Sequence, residues 1–265
     1  MRYSKSILFI ILWVLSIDSA LSQTVTYLGN EGMLIEYQGK KIIIDGLFDD
    51  ISGRFDSPDY DVMDDIIAGR GEYKNVELAL ITHAHPDHFD APSFARFMFN
   101  NKKAKMVATL QAIDSMKLNT DLYDSIANRI AVTRWTKGWQ INDTEDIGIK
   151  SAYTLHAGKA FTKVQNQMFL ITIGDKKILH VADTQMDVDY FDDLRLIYED
   201  IDLAIVPFWF LTNLFGAEIV DKHIEAKKVA GMHLPNKDNE KTLEKINSFF
   251  PKATVFSEPG QKISF

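Results

Sequence analysis

Short runs of apolar and β-branched residues alternate with polar turns along most of the chain. Near its start, residues 24–28, 33–37 and 41–45 form three such runs, separated by turns at residues 29–32 and 38–40. Turn residues between β-rich runs are typical of consecutive antiparallel strands. The pattern therefore predicts an antiparallel meander at the start of the chain.

Beyond the meander, strand-like and helix-like periods alternate. The further strands are predicted at residues 76–82, 149–155, 168–173, 177–182 and 203–206. Helices are predicted over residues 62–68, 92–100, 190–198, 224–229 and 240–249, the second of them capped by Asp90. No linker-like or low-complexity stretch interrupts this rhythm. We therefore expect one domain of the α/β (α+β) class, with two packed sheets, helices outside them and two similar halves.

The composition restricts the possible chemistry of the site more than it restricts the fold. The chain has 265 residues, of which 46% are hydrophobic and 25% charged, and these are globular values. It contains no cysteine, so thiol catalysis, disulfides, iron–sulfur clusters and Cys-based zinc sites are excluded. Any metal site must use His, Asp or Glu. A net charge of −8 also argues against nucleic-acid binding, which needs clustered Lys and Arg.

The first residues are typical of an export signal. Arg2 and Lys5 precede an apolar run at residues 7–17, and small residues follow it. We expect residues 1–22 to be a signal peptide and residues 23–265 the mature domain, which is then periplasmic or secreted. An uncleaved anchor is the alternative, but a spanning helix needs about 20 apolar residues. No stable membrane span is therefore expected after removal of the signal.

One short segment concentrates metal-binding side chains. His83, His85, Asp87 and His88 lie within six residues, directly after a predicted strand. Side chains two residues apart leave an extended backbone on the same face, so His83 and His85 can bind one ion. Pro86 interrupts the strand, and the following turn can direct the other two side chains toward a second ion. So dense a cluster predicts a metal site.

Three more candidate ligands stand at predicted strand ends. His156 follows one strand, Asp183 ends another, and His233 follows a short apolar run. Each has an ordinary alternative as a cap, a turn residue or a buried structural histidine, and the dense cluster favours the metal role. His180, inside a strand, and His223, on a helix face, are left out of the predicted site.

The segment from His83 to His88 reads H-x-H-x-D-H, and in this it resembles the metallo-β-lactamase superfamily of metal-dependent hydrolases. The resemblance extends over essentially the whole mature chain. It implies a four-layered αββα sandwich of two mixed β-sheets with external helices and a metal site at one edge. It also implies the following assignment of ligands. His83, His85 and His156 bind the first ion, Asp87, His88 and His233 bind the second, and Asp183 bridges the two.

Departures from the family pattern point to one of its branches. The loop after His156 lacks the long glycine- and histidine-rich insertion of lactamases and glyoxalase-like enzymes. The last ligand stands in a His-x-Pro context, His233-Leu234-Pro235, as in the lactonase-like and phospholipase-like branch. The resemblance therefore implies a small-molecule or lipid-like substrate, with no nucleic-acid partner. It implies two divalent metal ions, Zn²⁺ in the first place, with Mn²⁺ or Fe as alternatives.

On this basis we expect an exported hydrolase that uses a dinuclear metal-bound hydroxide to cleave an ester, lactone, amide or phosphodiester bond. Asp87 is the expected catalytic residue, orienting the hydroxide or handling its proton. Two other classes remain open: an iron-dependent redox enzyme, and a non-catalytic, metal-stabilised binding module. The substrate and the oligomeric state are not predicted.

Two further features have two interpretations each. Asp45, at the end of a predicted strand, is either an outer partner of a metal-binding histidine or an ordinary turn residue. The aromatic stretch at residues 207–211, continuing to Leu214 and Phe215, is expected to be core, with a substrate pocket around Trp209 as the alternative.

Overall fold

The computed structural model describes residues 23–49, 52–237 and 239–265, so the predicted signal peptide at residues 1–22 lies outside the described residues. Within them the strands are β1 Thr24–Gly29, β2 Gly32–Tyr37, β3 Lys40–Ile44, β4 Leu78–Leu80, β5 Lys105–Ala108, β6 Ile130–Val132, β7 Trp139–Ile141, β8 Ile147–Thr154, β9 Asn166–Ile173, β10 Lys176–His180, β11 Leu203–Pro207, β12 Lys228–Met232, β13 Thr254–Val255 and β14 Lys262–Ser264. The α-helices are α1 Tyr60–Ala68, α2 Ala91–Asn100, α3 Leu110–Asn119, α4 Tyr123–Ile126, α5 Val188–Leu194, α6 Leu214–Ile219 and α7 Asn239–Phe249.

The described strands form two sheets of seven. The first has the order β14-β1-β2-β3-β4-β5-β6, and the second β13-β12-β11-β10-β9-β8-β7. In each sheet four neighbouring strands pair antiparallel, β14-β1-β2-β3 in the first and β7-β8-β9-β10 in the second, and the remaining pairs are parallel. Both sheets are mixed, and their similar build confirms the expectation of two similar halves.

Three apolar clusters define four layers. The middle cluster joins the facing sides of the two sheets through residues such as Ile35, Ile44 and Ile171. A second cluster packs the first sheet against helices α1 to α3, and a third packs the second sheet against α5 to α7. Burial of these three apolar clusters stabilises the αββα sandwich that the sequence predicted.

Strand direction brings several loop ends to one edge. Strand β3 runs parallel to β4, and the β1–β2 turn lies beside the end of β3 because Met33 pairs with Ile44. In the second sheet, β8 and β12 both run in the direction of β10. The carboxyl ends of β3, β4, β8, β10 and β12 therefore share one edge of the sandwich.

Most predicted elements are confirmed within a few residues, including the meander and the Asp90 cap. The Asp90 carboxylate accepts a hydrogen bond from the Ser93 amide at 2.8 Å. The helix predicted at residues 224–229 is wrong, because residues 228–232 form β12 and pair with β11. The residues before β12 favour a helix by composition, and pairing within the sheet overrides that propensity.

The helix predicted over residues 190–198 is too long. Helix α5 ends at Leu194, where Arg195 takes a left-handed conformation with φ of 53°. This break lets both Leu194 and Leu196 turn into the third apolar cluster. Several elements between residues 105 and 141, and helix α6, were not predicted at all.

Candidate metal centre

The seven predicted ligands meet at the shared edge of the two sheets. The first group is His83, His85, His156 and Asp183, and the second is Asp87, His88 and His233. Within each group one ligand atom per residue lies within 4.8 Å of the others. Residues separated by up to 150 positions in the sequence are therefore neighbours, because the strand ends that carry them lie at the same edge of the sandwich.

Asp183 lies between the two groups. Its Oδ2 is 3.2 Å from His156 Nε2 and 3.7 Å from His88 Nε2. Its Oδ1 is 3.1 Å from His233 Nε2. One carboxylate thus contacts histidines of both groups, which is the position that a bridging ligand requires.

Outer partners fix the orientation of several imidazoles. Asp45 Oδ2 lies 3.0 Å from His88 Nδ1, and Asp45 also accepts hydrogen bonds from the Thr82 amide and hydroxyl at 2.9 and 2.7 Å. The Thr82 hydroxyl oxygen is in turn 2.9 Å from His83 Nδ1, where it can accept. Of the two interpretations of Asp45, the structure supports the outer partner of a predicted ligand.

The backbone is strained at the same place. Asn30, Asp45, Ala182 and His233 all have left-handed φ values, between 45° and 62°. Such conformations cost free energy in residues with a side chain and cluster at functional sites. At His233 the left-handed turn directly follows β12, and its amide donates to the Asn30 carbonyl at 3.0 Å.

Burial and the neighbouring groups set the protonation of the site. Burial, with the nearby His88, holds the pKa of His83 well below its ordinary value, and burial lowers the pKa of His85 to about 4. Burial disfavours charged His88 as well, but Asp183 and other carboxylates raise its pKa to about 9. Burial also opposes ionisation of Asp183, and His233 and His88 outweigh it, so its pKa is held well below its ordinary value. Neutral His83 and His85 offer the nitrogen lone pairs that a metal ion needs.

A cleft of about 750 Å³ opens onto these residues. Phe161 contacts the His156 ring at a centroid distance of 4.9 Å, while Phe55 and Trp209 contact His233 at 4.3 and 5.2 Å. Arg54 and Lys237 also line the cleft. The walls are thus largely aromatic, and the ligands form the floor.

The aromatic stretch after β11 divides between core and cleft. Phe210 and Leu211 are fully buried in the third cluster, as expected. Trp209 instead lines the cleft, where its indole N–H donates to the Thr184 carbonyl at 3.0 Å. The core prediction is also wrong for Leu214, which is 75% exposed.

The histidines left out of the predicted site do lie elsewhere. His180 is buried with Nε2 at 3.1 Å from the Glu31 carbonyl oxygen, and His223 pairs with Asp192 at 2.6 Å. Sequence reasoning missed Glu31 and Asn30, which were treated only as turn residues. The available signal was that both side chains are polar and lie in a tight turn between strands, at the edge that carries Asp45. This position could have indicated a role in the site.

The αββα fold with this histidine and aspartate site at its edge defines a class, the metal-dependent hydrolases of the metallo-β-lactamase fold. Residues 41–246 match the family described as the beta-lactamase superfamily domain, and the chain belongs to that superfamily. The predictions of the superfamily, its fold and a metal-dependent hydrolase are confirmed.

A UPF0173 metal-dependent hydrolase from Methanosphaera stadtmanae is 30% identical over 178 residues, covering 60% of this chain and 66% of the relative. The metallo-β-lactamase fold protein YhfI from Bacillus subtilis has a similar structure, with a TM-score of 0.61, 14% identity and coverage of 91% and 99% of the two chains. CmlA, a diiron β-hydroxylase from Streptomyces venezuelae, gives a TM-score of 0.57 at 13% identity, covering 92% of this chain and 54% of CmlA. At these identities the two structures show a shared fold alone.

Proposed function

We propose that this chain binds two divalent cations at the site and hydrolyses an ester, lactone, amide or phosphodiester bond in a small molecule. The observation that carries the proposal is the placement of Asp183 between two groups of ligands, in contact with histidines of both. Two separate groups joined by one carboxylate are the arrangement of a two-metal hydrolytic site.

The residues fit such cations. His83 Nε2 and His233 Nδ1 are buried and form no hydrogen bond within the described structure, and Asp183 Oδ1 contacts His233 Nε2 at 3.1 Å without a hydrogen-bond geometry. Buried polar atoms normally have a partner, and metal ions supply one for nitrogen and carboxylate donors. An all-nitrogen-and-oxygen donor set rich in imidazole suits Zn²⁺, with Mn²⁺ and Fe as alternatives.

Two bound divalent cations would lower the pKa of a water toward neutrality and polarise the carbonyl or phosphoryl oxygen of the substrate. The protein's own groups act around that chemistry. Asp87 lines the cleft with its side chain 24% exposed, so its carboxylate is placed to orient a water molecule and take its proton. The side-chain amide of Asn30 donates a hydrogen bond to the backbone carbonyl of Asp87 at 2.9 Å and fixes the position of Asp87. Asp45 holds the His88 ring in place.

The cleft supports a substrate with an apolar part. Phe161 on one side and Trp209 and Phe55 on the other can pack against hydrocarbon or aromatic groups and keep water from the reacting bond. Arg54, whose guanidinium lies 5.3 Å from the Phe55 ring centroid, and Lys237 line the same cleft and favour a polar or anionic group on the substrate. This combination is compatible with a lipid-like molecule as one member of the proposed class.

The test combines metal analysis with a substrate panel. Residues 23–265 are purified without added metal, their metal content is measured, and the chain is then assayed with Zn²⁺ or Mn²⁺ on lactones, esters, acyl-amides and phosphodiesters. We expect about two metal ions per chain and turnover of at least one substrate class. Bound iron with oxidation and no hydrolysis would replace the proposal by the redox alternative. Bound metal without any turnover across the panel would favour the binding module.

We also propose that the protein is exported and cleaved after Ser22. The support is the sequence pattern of residues 1–22 alone. None of the helices in the described ranges is both long enough and apolar enough to cross a bilayer. The test is N-terminal sequencing of protein recovered outside the cytoplasm, where a chain starting at Gln23 is expected. Full-length protein confined to the cytoplasm contradicts this proposal and leaves the hydrolase proposal untouched.

A further inference from the structure

Glu31 is a buried carboxylate without a partner. Its exposed fraction is 0%, and neither Oε1 nor Oε2 forms a hydrogen bond within the described structure. The nearest basic atom is His88 Nδ1, 3.7 Å from Oε2, and that nitrogen is already paired with Asp45 at 3.0 Å. Burying an unpaired carboxylate costs free energy. We therefore expect the Glu31 side chain to bind a group that offsets this cost.

The backbone holds this carboxylate in a fixed place. The Glu31 carbonyl oxygen lies 3.1 Å from His180 Nε2, which can donate to it, and the preceding carbonyl, of Asn30, accepts from the His233 amide at 3.0 Å. A Cβ on Gly32 would come within 2.6 Å of the Gly46 Cα, so the turn is packed tightly against the end of β3. The β1–β2 turn is thus attached to both sheets.

Around Glu31 lie predicted ligands of the second ion and of the bridge. Ligand atoms of Glu31, Asp183 and His233 lie within 4.8 Å of one another. Glu31 approaches His88 from the other side of the ring, at Nδ1, the nitrogen that Asp45 holds. Glu31 and Asp183 are both buried carboxylates, with exposed fractions of 0% and 5%. Two buried carboxylates side by side require either a shared proton or a cation between them.

We propose that Glu31 is an additional carboxylate ligand of the second metal position, beside Asp183 and His233. This inference rests on the proposed two-metal function and extends it. The second position then combines His88 and His233 with carboxylates of Asp87, Asp183 and Glu31, whereas the first combines three histidines with Asp183 alone. Carboxylate oxygens suit Mn²⁺, so the second position is the more oxygen-rich and the better matched to that ion.

The test compares Mn²⁺ binding by the wild-type chain and by Glu31→Gln, using residues 23–265 and the electron paramagnetic resonance signal of the free ion. Glutamine keeps the shape and removes the charge. We expect two bound equivalents in the wild type, and in the variant one equivalent unchanged and the other weakened at least about ten-fold. Glu36→Gln is the matched control, because Glu36 lies on β2 of the same hairpin, away from the site, and should bind as the wild type does.

Stability measurements separate a ligand from a structural residue. Without metal, Glu31→Gln should melt at or above the wild-type temperature, because glutamine removes the free-energy cost of burying or protonating a carboxylate. With Mn²⁺, it should gain less than the wild type does. If the variant does not fold, Glu31→Asp replaces it, with the same expected loss at one position because the shorter side chain draws the carboxylate back.

The possible failures are distinguishable. A wild-type chain that binds two equivalents, together with a folded Glu31 variant that binds both equally well, overturns the assignment of Glu31 and leaves the proposed function standing. A wild-type chain that binds fewer than two equivalents of Mn²⁺, and also of Zn²⁺ by metal analysis, overturns the two-metal function, and the Glu31 assignment with it.

Discussion

The two proposed metal positions are built from different parts of the chain. The first has three histidines, two of them from one extended segment, and Thr82 and the Ala157 carbonyl contact the outer nitrogens of His83 and His156. The second takes its groups from a turn, from a strand end and from His233, whose Nδ1 forms no hydrogen bond. The first position is thus nitrogen-rich, with outer partners on two of its three histidines, and the second is richer in oxygen, with an outer partner on one of its two histidines. From this difference we expect the first proposed position to hold its ion more firmly than the second.

The largest expected effect comes from the first position. In His85→Ala we expect the metal content to fall and turnover to drop by more than about 100-fold. This loss should exceed the roughly 10- to 100-fold that removal of an outer partner of a ligand costs in affinity or activity, because a ligand itself is removed. Metal analysis and steady-state kinetics on the panel check this. His223→Ala is the control, because that histidine pairs with Asp192 far from the cleft. Full activity in His85→Ala would end the proposed function.

The next largest effect tests the support of the second position. Asp45→Asn removes the charge that orients His88, so metal affinity at the second position should fall about 10- to 100-fold while the first position is retained. Asp90→Asn makes the same chemical change at the cap of α2, where Asn serves nearly as well as Asp. Equal loss at both positions would show that Asp45 supports the edge as a whole.

The comparison of the two positions also predicts the order in which their metal ions are lost to a chelator. On titration with a chelator, the second position should lose its ion first, with an affinity about ten-fold weaker than that of the first. The physical reasons are the unpaired His233 Nδ1 and the partly exposed Asp87. Metal content and melting temperature, followed together at increasing chelator concentration, should show two steps. Release of the His83, His85 and His156 ion first would reverse the comparison.

The smallest effect concerns the aromatic wall beside the second position. Trp209→Leu should change the ratio of kcat/KM between short and long substrates by about ten-fold, since one pocket contact discriminates on that scale. Phe210→Leu, its buried neighbour, should lower the free energy of unfolding by about 1 kcal/mol or more and leave that ratio unchanged. A large loss of melting temperature in Trp209→Leu with unchanged kinetics would place Trp209 in the core.

The sequence was most informative where the signal is local. His83 to His88 follow a strand directly, so their proximity could be read without knowing the fold. The meander and the Asp90 cap also depend on neighbouring residues, and both are confirmed. The helix predicted at residues 224–229 failed because β12 gains its stability from β11, more than twenty positions earlier.

By itself the sequence determined the donor chemistry. Without cysteine the site had to use nitrogen and oxygen, and the order of His156, Asp183 and His233 at strand ends pointed to their meeting. Only the tertiary structure decided that Asp45 contacts His88, that Trp209 lines the cleft whereas Phe210 is fully buried, and that Glu31 lies beside Asp183 without a hydrogen bond among the described residues. These facts depend on how the two sheets face each other, and local periodicity carries no information about contacts between distant strands.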